Sequence, residues 1–207
     1  MILASQSPRR RAILEGLGMP VEVRPADIDE ARLPDEGACD LVCRLAAEKA
    51  AHVAASAPAR ADVVVAADTV VWTEGGAVLG KPRDAADARA MLASLSGRTH
   101  HVSTGVCLLA LGDDGRERAR RTFVETTDVE FWPLDDALVS AYVASGEPMD
   151  KAGSYGIQGR GALLVRSVRG DYANVVGLPA SRLVRELADL LGDDALVAAV
   201  AGGGLDA

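Results

Sequence analysis

Asp62-Val63-Val64-Val65-Ala66-Ala67-Asp68 is an apolar run bounded by two acids. It leaves no polar face, so it predicts a strand buried on both sides at the centre of a sheet, ending at Asp68. Downstream, residues 69–72 and 77–79 flank Thr73-Glu74-Gly75-Gly76, the pattern of a hairpin. Upstream, residues 38–56 carry Leu41, Leu45 and Val53 at helical spacing. The chain opens on a short apolar strand, residues 2–4, which runs into a helix. Ser7 is placed to cap that helix, Pro8 suits its first position, and Gly16 or Gly18 ends it. Residues 21–24 alternate as a further strand.

Beyond the centre, residues 84–95 read as a helix capped by Asp84, with Gly97 just past its end. Two long β-type runs, 101–111 and 121–131, are joined by Gly112-Asp113-Asp114-Gly115 as a larger hairpin. A helix over 135–145 closes at Gly146. Residues 147–161 then hold glycines at 153, 156, 159 and 161, which predicts a long loop with a task beyond connection. A strand over 162–168, a turn at Arg169-Gly170-Asp171-Tyr172 and a helix after Pro179 complete the order. Residues 201–207, Ala-Gly-Gly-Gly-Leu-Asp-Ala, are expected to be a disordered tail. Strands and helices mixed with long hairpins argue for an α/β fold on a mixed sheet, with residues 1–200 as one domain.

Composition narrows the partners. The formal net charge of the 207 residues is −8, so the surface as a whole does not suit nucleic acid or a membrane. No apolar run reaches membrane-spanning length, and Met1-Ile-Leu-Ala-Ser5 lacks the pattern of a secretory leader, which points to a soluble, cytoplasmic protein. Cys39, Cys43 and Cys107 are odd in number and spread out, which argues against a disulfide framework; Cys39 and Cys43 read as core thiols rather than zinc ligands. Three lysines stand against nineteen arginines. Lys49, Lys81 and Lys151 each sit beside an acid or a glycine, and a lysine kept against that bias suits a compact point charge. With Ser5-Gln6-Ser7-Pro8-Arg9-Arg10-Arg11 they suggest a site for a polyanion, phosphate first. The N-terminus of the first helix would aim backbone N–H groups and the hydroxyls of Ser5 and Ser7 at it.

Gly75-Gly-Ala-Val-Leu-Gly80-Lys81 has the spacing of a P-loop, but Pro82 stands where the magnesium-binding hydroxyl belongs, and the glycines lie in a hairpin. It is not read as one. Asp68, at the end of a buried strand, is the catalytic candidate: it could bind a divalent metal, take a proton from water, or both, or else cap the following turn. Glu48 is a second acid that could serve a metal. His52 reads as helix surface, and His100 and His101 as strand residues, so no histidine-centred triad is supported. Tyr155 and Gln158 in the glycine loop could read the edge of a base.

Seven stretches in order carry a family resemblance: Ser5-x-Ser7-Pro8-Arg9-Arg10; Glu48-Lys49-Ala50; Ala67-Asp68-Thr69-Val70-Val71; Leu79-Gly80-Lys81-Pro82; Leu95-Ser96-Gly97-Arg98-Thr99-His100; Gly146-Glu147-Pro148-x-Asp150-Lys151-Ala152-Gly153-x-Tyr155-x-Ile157-Gln158-Gly159; and Gly170-Asp171-Tyr172-x-Asn174-Val175-x-Gly177-Leu178-Pro179. Together they resemble the Maf family of septum-formation-inhibitor-like nucleoside triphosphate pyrophosphatases. The resemblance implies a two-lobed fold similar to inosine triphosphate pyrophosphatases, with the nucleotide in a central cleft. It implies hydrolysis of a nucleoside triphosphate to the monophosphate and pyrophosphate with a divalent metal, Mg²⁺ or Mn²⁺. By the same resemblance Asp68 is the proton acceptor, and Ser5, Arg10, Lys49 and Lys81 hold phosphates. Arg9, Thr69 and Gln158 set the base and look like the subgroup acting on dTTP and UTP. The family's link to septum formation keeps a second expectation open, a nucleotide-sensing regulator of cell division acting through protein contacts. Homodimer formation is left open as well.

Overall fold

The computed structural model describes residues 1–57 and 63–191. The expected tail at 201–207 lies outside them. Seven strands form one mixed sheet: β1 (Ile2–Leu3), β2 (Glu22–Val23), β3 (Val63–Thr73), β4 (Val78–Leu79), β5 (Thr99–Leu111), β6 (Glu117–Phe131) and β7 (Val165–Arg169). Their order is β2-β1-β3-β5-β6-β7, with β4 paired on β3. β1 runs parallel to both β2 and β3, while the β3–β4 and β6–β7 pairs are antiparallel. The expected α/β fold on a mixed sheet is therefore observed.

The described residues divide into two compact units: those of Met1–Asp68 and Thr104–Val124 with those from Gly177 onward, and Thr69–Ser103 with Glu125–Val176. The boundary falls inside β3, β5 and β6, each of which contributes residues to both.

In the first unit the central run is buried on both faces, as its composition dictates. Val63, Val65 and Ala67 share a core with Leu14 of α1 (Pro8–Gly16) and with Leu183 and Leu187 of α6 (Ala180–Leu191). Val64 and Ala66 face the other way, onto Ala46, Ala50 and Val53 of α2 (Ala38–Ala54). Alternation along a strand thus fills two cores from one apolar run. The capping of α1 follows the sequence: Ser7 Oγ accepts from Arg10 N, with Pro8 in the first turn.

In the second unit β3 turns into β4 through Gly76, whose φ of +79° suits the residue at that bend. Asp84 caps α3 (Ala85–Leu95), and Asp135 caps α4 (Asp136–Ala144). The glycine-rich stretch is not an open loop. It folds into two short 3₁₀ turns, Glu147–Asp150 and Gly159–Leu164, with a left-handed bend at Gly153 and Ser154 between them. Gly153 has φ +67° and lies so close to Val71 that an added Cβ would meet its side chain at 2.9 Å. The last turn consumes residues 162–164, so β7 starts at Val165 rather than 162. A short helix, α5 (Tyr172–Val176), follows the turn at Gly170, where no helix was expected. Asn174 on it is buried and donates through Nδ2 to Val102 O (2.9 Å) and Thr127 Oγ1 (3.0 Å). Among the described residues no helix is long and apolar enough to cross a membrane.

Candidate active site

α2 presents Leu45, Lys49 and Val53 on one buried stripe, at intervals of four. A lysine there needs an acid, and two supply it. Lys49 Nζ lies 2.6 Å from Asp68 Oδ1 and 2.6 Å from Glu30 Oε1. The Lys49 and Asp68 side chains are 10% and 17% exposed, that of Glu30 56%, so the cluster is open only on the Glu30 side.

Asp68 is not at a strand end. β3 continues through Thr69 to Thr73, and Asp68 sits in its middle. That corrects the expected strand end and removes the turn-capping alternative, because no turn follows it. The strand carries an acid in mid-course because Lys49 neutralises it, so burial leaves no unpaired charge.

At the end of β1 the chain turns through Ser5 and Ser7 into α1. Ser5 Oγ accepts from Ser7 N (3.2 Å) and from Arg10 Nη1 (2.9 Å). Arg10 Nε donates to Gly177 O (2.8 Å), which fixes the guanidinium at both ends. Burial pushes the Arg10 pKa down; the charges of Asp68 and Glu30 oppose that shift, and Arg9 adds to it. These charges act on one another, so Arg9, Arg10, Asp68 and Glu30 form one electrostatic group. Ser5, Ser7, Arg9, Arg10, Lys49 and Asp68 all belong to the first unit.

Glu48 turns elsewhere. Its carboxylate is 3.1 Å from Arg44, which is also held by Glu36 at 2.7 Å. The residue that joins Asp68 on Lys49 is Glu30, which sequence reasoning missed. Glu30 lies in an irregular segment with Asp27 and Asp29, where no periodicity ranks one acid above another. Cys39 and Cys43 are half-buried rather than core, and Cys107 alone of the three is fully buried.

Thr69, Lys81 and Gln158 belong to the second unit. Thr69 follows Asp68 directly in β3 and is half-buried, while Lys81 and Gln158 are exposed. The backbone before Lys81 is tied down by the bond from Gly153 N to Gly80 O (3.1 Å). Tyr155, expected at a base edge, is buried and points inward: its hydroxyl meets His100 Nε2 at 2.9 Å. Tyr155 braces the turn and leaves Gln158 as the exposed polar side chain.

A divalent cation fits the donor set. Asp68 and Glu30 are hard carboxylates brought together by Lys49, and each carries a second oxygen besides the one that pairs with the ammonium. Among the described residues no group of three or more His, Cys, Asp or Glu side chains could hold a metal by itself. A site of two carboxylates completed by phosphate oxygens and water is the arrangement Mg²⁺ favours.

The family model described as "Maf-like protein" matches residues 1–190. The dTTP/UTP pyrophosphatase of Bacillus cytotoxicus is 47% identical over 186 residues, covering 90% of this chain and 93% of that one. The dTTP/UTP pyrophosphatase of Anaeromyxobacter dehalogenans is 52% identical over 184 residues, covering 86% and 88%. A solved structure of a nucleoside-triphosphatase / dITP/XTP pyrophosphatase from Mycobacterium abscessus is 17% identical, covers 92% of this chain and 93% of that one, and superposes with a TM-score of 0.41, a likeness that carries no inference. The match over nearly the whole described chain and the identity to relatives covered over 88% and 93% of their own length establish that this chain belongs to the Maf family.

Proposed function

We propose that the protein is a nucleoside triphosphate pyrophosphatase, cleaving the α–β phosphoanhydride of dTTP and UTP to the monophosphate and pyrophosphate. The observation that carries this reading is the Lys49 ammonium held between Asp68 and Glu30 beside the Arg10 guanidinium. A protein that only sensed nucleotides would need the cations and not the enclosed carboxylate. The two relatives above bear the name of this activity.

In this reading Asp68 accepts a proton from the attacking water. The water oxygen bonds to the α-phosphorus as the bond to the bridging oxygen breaks, and pyrophosphate leaves with that electron pair. Phosphoryl transfer draws its rate mainly from positioning and charge neutralisation. Arg10 and Lys49 supply positive charge in the first unit, and the Ser5 and Ser7 hydroxyls with the α1 N-terminus supply donors. Lys81 contributes a further ammonium. Asp68 and Glu30 would hold Mg²⁺ or Mn²⁺, which supplies charge neutralisation and a more acidic bound water. Arg9, Thr69 and Gln158 choose the base. Gln158 carries a donor and an acceptor side by side, matching the 4-oxo and 3-imino groups of uracil and thymine. A nucleotide substrate suits a cytoplasmic enzyme, the location this reading takes.

The test is a panel of canonical and modified triphosphates with Mg²⁺ or Mn²⁺, reading pyrophosphate release. Release from dTTP and UTP ahead of CTP and 7-methyl-GTP is expected. Phosphate instead of pyrophosphate, or no turnover on any triphosphate, overturns the proposal.

A further inference from the structure

Gln158 is exposed, and its side chain caps no helix in the turn that carries it. The backbone therefore sets where this side chain leaves the turn, and the backbone from Gly156 to Gly161 is held by one carboxylate and one phenol. Glu147 stands at the start of the first 3₁₀ turn, directly after Gly146 at φ +76°. Its Oε2 accepts from Arg160 N (3.1 Å), and its Oε1 accepts from Gly161 N (3.0 Å) and from the Tyr142 hydroxyl (3.1 Å). That hydroxyl in turn accepts from Gly156 N (3.2 Å). The clamp thus grips the segment on both sides of Gln158, two residues before it and two and three residues after it.

The glycines close the same ring. A Cβ on Gly161 would lie 2.1 Å from Gly156 O and 2.7 Å from the Tyr142 hydroxyl. A Cβ on Gly159 would crowd the Glu147 carboxylate at 3.2 Å. The two ends of the segment are therefore in contact, and the carboxylate is packed under its middle. Between them Ile157 points inward, 7% exposed, so Gln158 is left pointing out. Burial alone would raise the Glu147 pKa, but the Gly161 and Arg160 N–H groups and the Tyr142 hydroxyl outweigh it and hold the group ionised. An ionised carboxylate has acceptor capacity for all three donors, whereas an amide must turn one N–H donor toward another.

We propose that Glu147 is a positioning residue for base selection, acting through Gln158 by fixing the 156–161 ring. This rests on Gln158 reading the base. Discrimination between uracil and cytosine requires the amide to meet the base edge at one place, and the ring sets that place by fixing where Gln158 leaves the backbone. A loosened ring costs selectivity before it costs turnover.

The experiment compares kcat/KM for UTP and CTP in wild type, Glu147→Gln, Gln158→Ala and the double variant, with melting temperatures alongside. Glu147→Gln is expected to lower the UTP/CTP ratio roughly tenfold, the scale of one directed hydrogen bond with its unpaired partner. The double variant should have the ratio of Gln158→Ala alone. Tyr142→Phe removes the bond to Gly156 N while leaving the carboxylate, and should lower the ratio in the same direction; it carries the test if Glu147→Gln does not fold. If Gln158→Ala leaves the ratio unchanged, the base reading fails and this proposal falls with it. If Gln158→Ala collapses the ratio while Glu147→Gln and Tyr142→Phe preserve it, the positioning role alone is overturned. Equal loss on both nucleotides in the Glu147 and Tyr142 variants marks a merely structural brace and overturns it too.

Discussion

On the buried stripe of α2 a lysine stands where its neighbours four residues away are leucine and valine, and the two acids it collects are Asp68 and Glu30. The stripe was visible in the sequence, and so was Asp68, because an acid ending a five-residue apolar run has no ordinary surface role. Glu30 was not, because its partner lies on an element far along the chain and its own segment has no repeat. Asp68→Asn keeps the shape and removes the base. It should lower kcat per folded molecule roughly 100- to 10,000-fold, the range of general acid–base terms, and lower the melting temperature too, because Lys49 keeps only Glu30 as a partner. An Asn variant with wild-type turnover would take Asp68 out of the mechanism. Lys49→Arg tests the point charge. A planar fork cannot place one compact ammonium 2.6 Å from two separate carboxylates, so a drop in kcat/KM is expected even though the charge is kept. Lys81→Arg should also lower kcat/KM. If both arginine variants match wild type, the inference from lysine scarcity fails.

The elements that position these residues depend on one close approach. β5 carries Gly105 where a Cβ would lie 2.3 Å from Val42 O and 2.6 Å from Cys43 N, so the α2 backbone rests directly on the strand. Seven residues further along that helix is Lys49. Gly105→Ala must push α2 off the sheet, and overpacking of this kind costs about 1–3 kcal/mol or more. We expect a lower urea midpoint and, because Lys49 moves with the helix, a lower kcat/KM. Normal stability in this variant would mean that α2 can shift freely. Strands and long helices were legible because burial writes a period of two or of four residues into them. The 147–161 stretch was misread as a loop because its short turns are held by side-chain bonds to backbone N–H groups, such as those of Glu147, which leave no period. α5 was missed for a similar reason. Its five residues are too few for a repeat, and Asp171 holds its first turn by accepting from Ala173 N at 2.7 Å.

For the molecule as a whole, a surplus of eight acidic charges makes carboxylate protonation the obvious source of acid sensitivity, yet a histidine should act first. His100 is fully buried, its Nε2 bonded to Tyr155, with Phe131 at its edge 4.8 Å away between ring centroids. Burial, with the neighbouring His101 adding to it, pushes its pKa from 6.5 down to about 4. The unfolded chain therefore binds a proton at His100 between those values that the folded chain refuses. A depressed folded pKa gives stability that is fully present above 6.5 and is lost as pH falls toward 4, the direction of linkage when the unfolded state takes up more protons. The scale is about 3 kcal/mol, taking 1.36 kcal/mol for each unit of the shift. Asp128, held below the ordinary carboxylate range by its bonds to Arg169 and His101, and Asp87, held down by Arg83, add their losses only at lower pH. The urea midpoint of the wild type should thus fall as pH drops from 6.5, before the carboxylates begin to titrate. His100→Gln can still bond to the Tyr155 hydroxyl but cannot charge. Its midpoint should be lower at pH 7, from lost ring packing, and flatter between pH 6.5 and 4.5. A variant as steep as the wild type across that interval would show that His100 titrates alike in the folded and unfolded chains, and that the buried ring is reached by water or opens before the fold does.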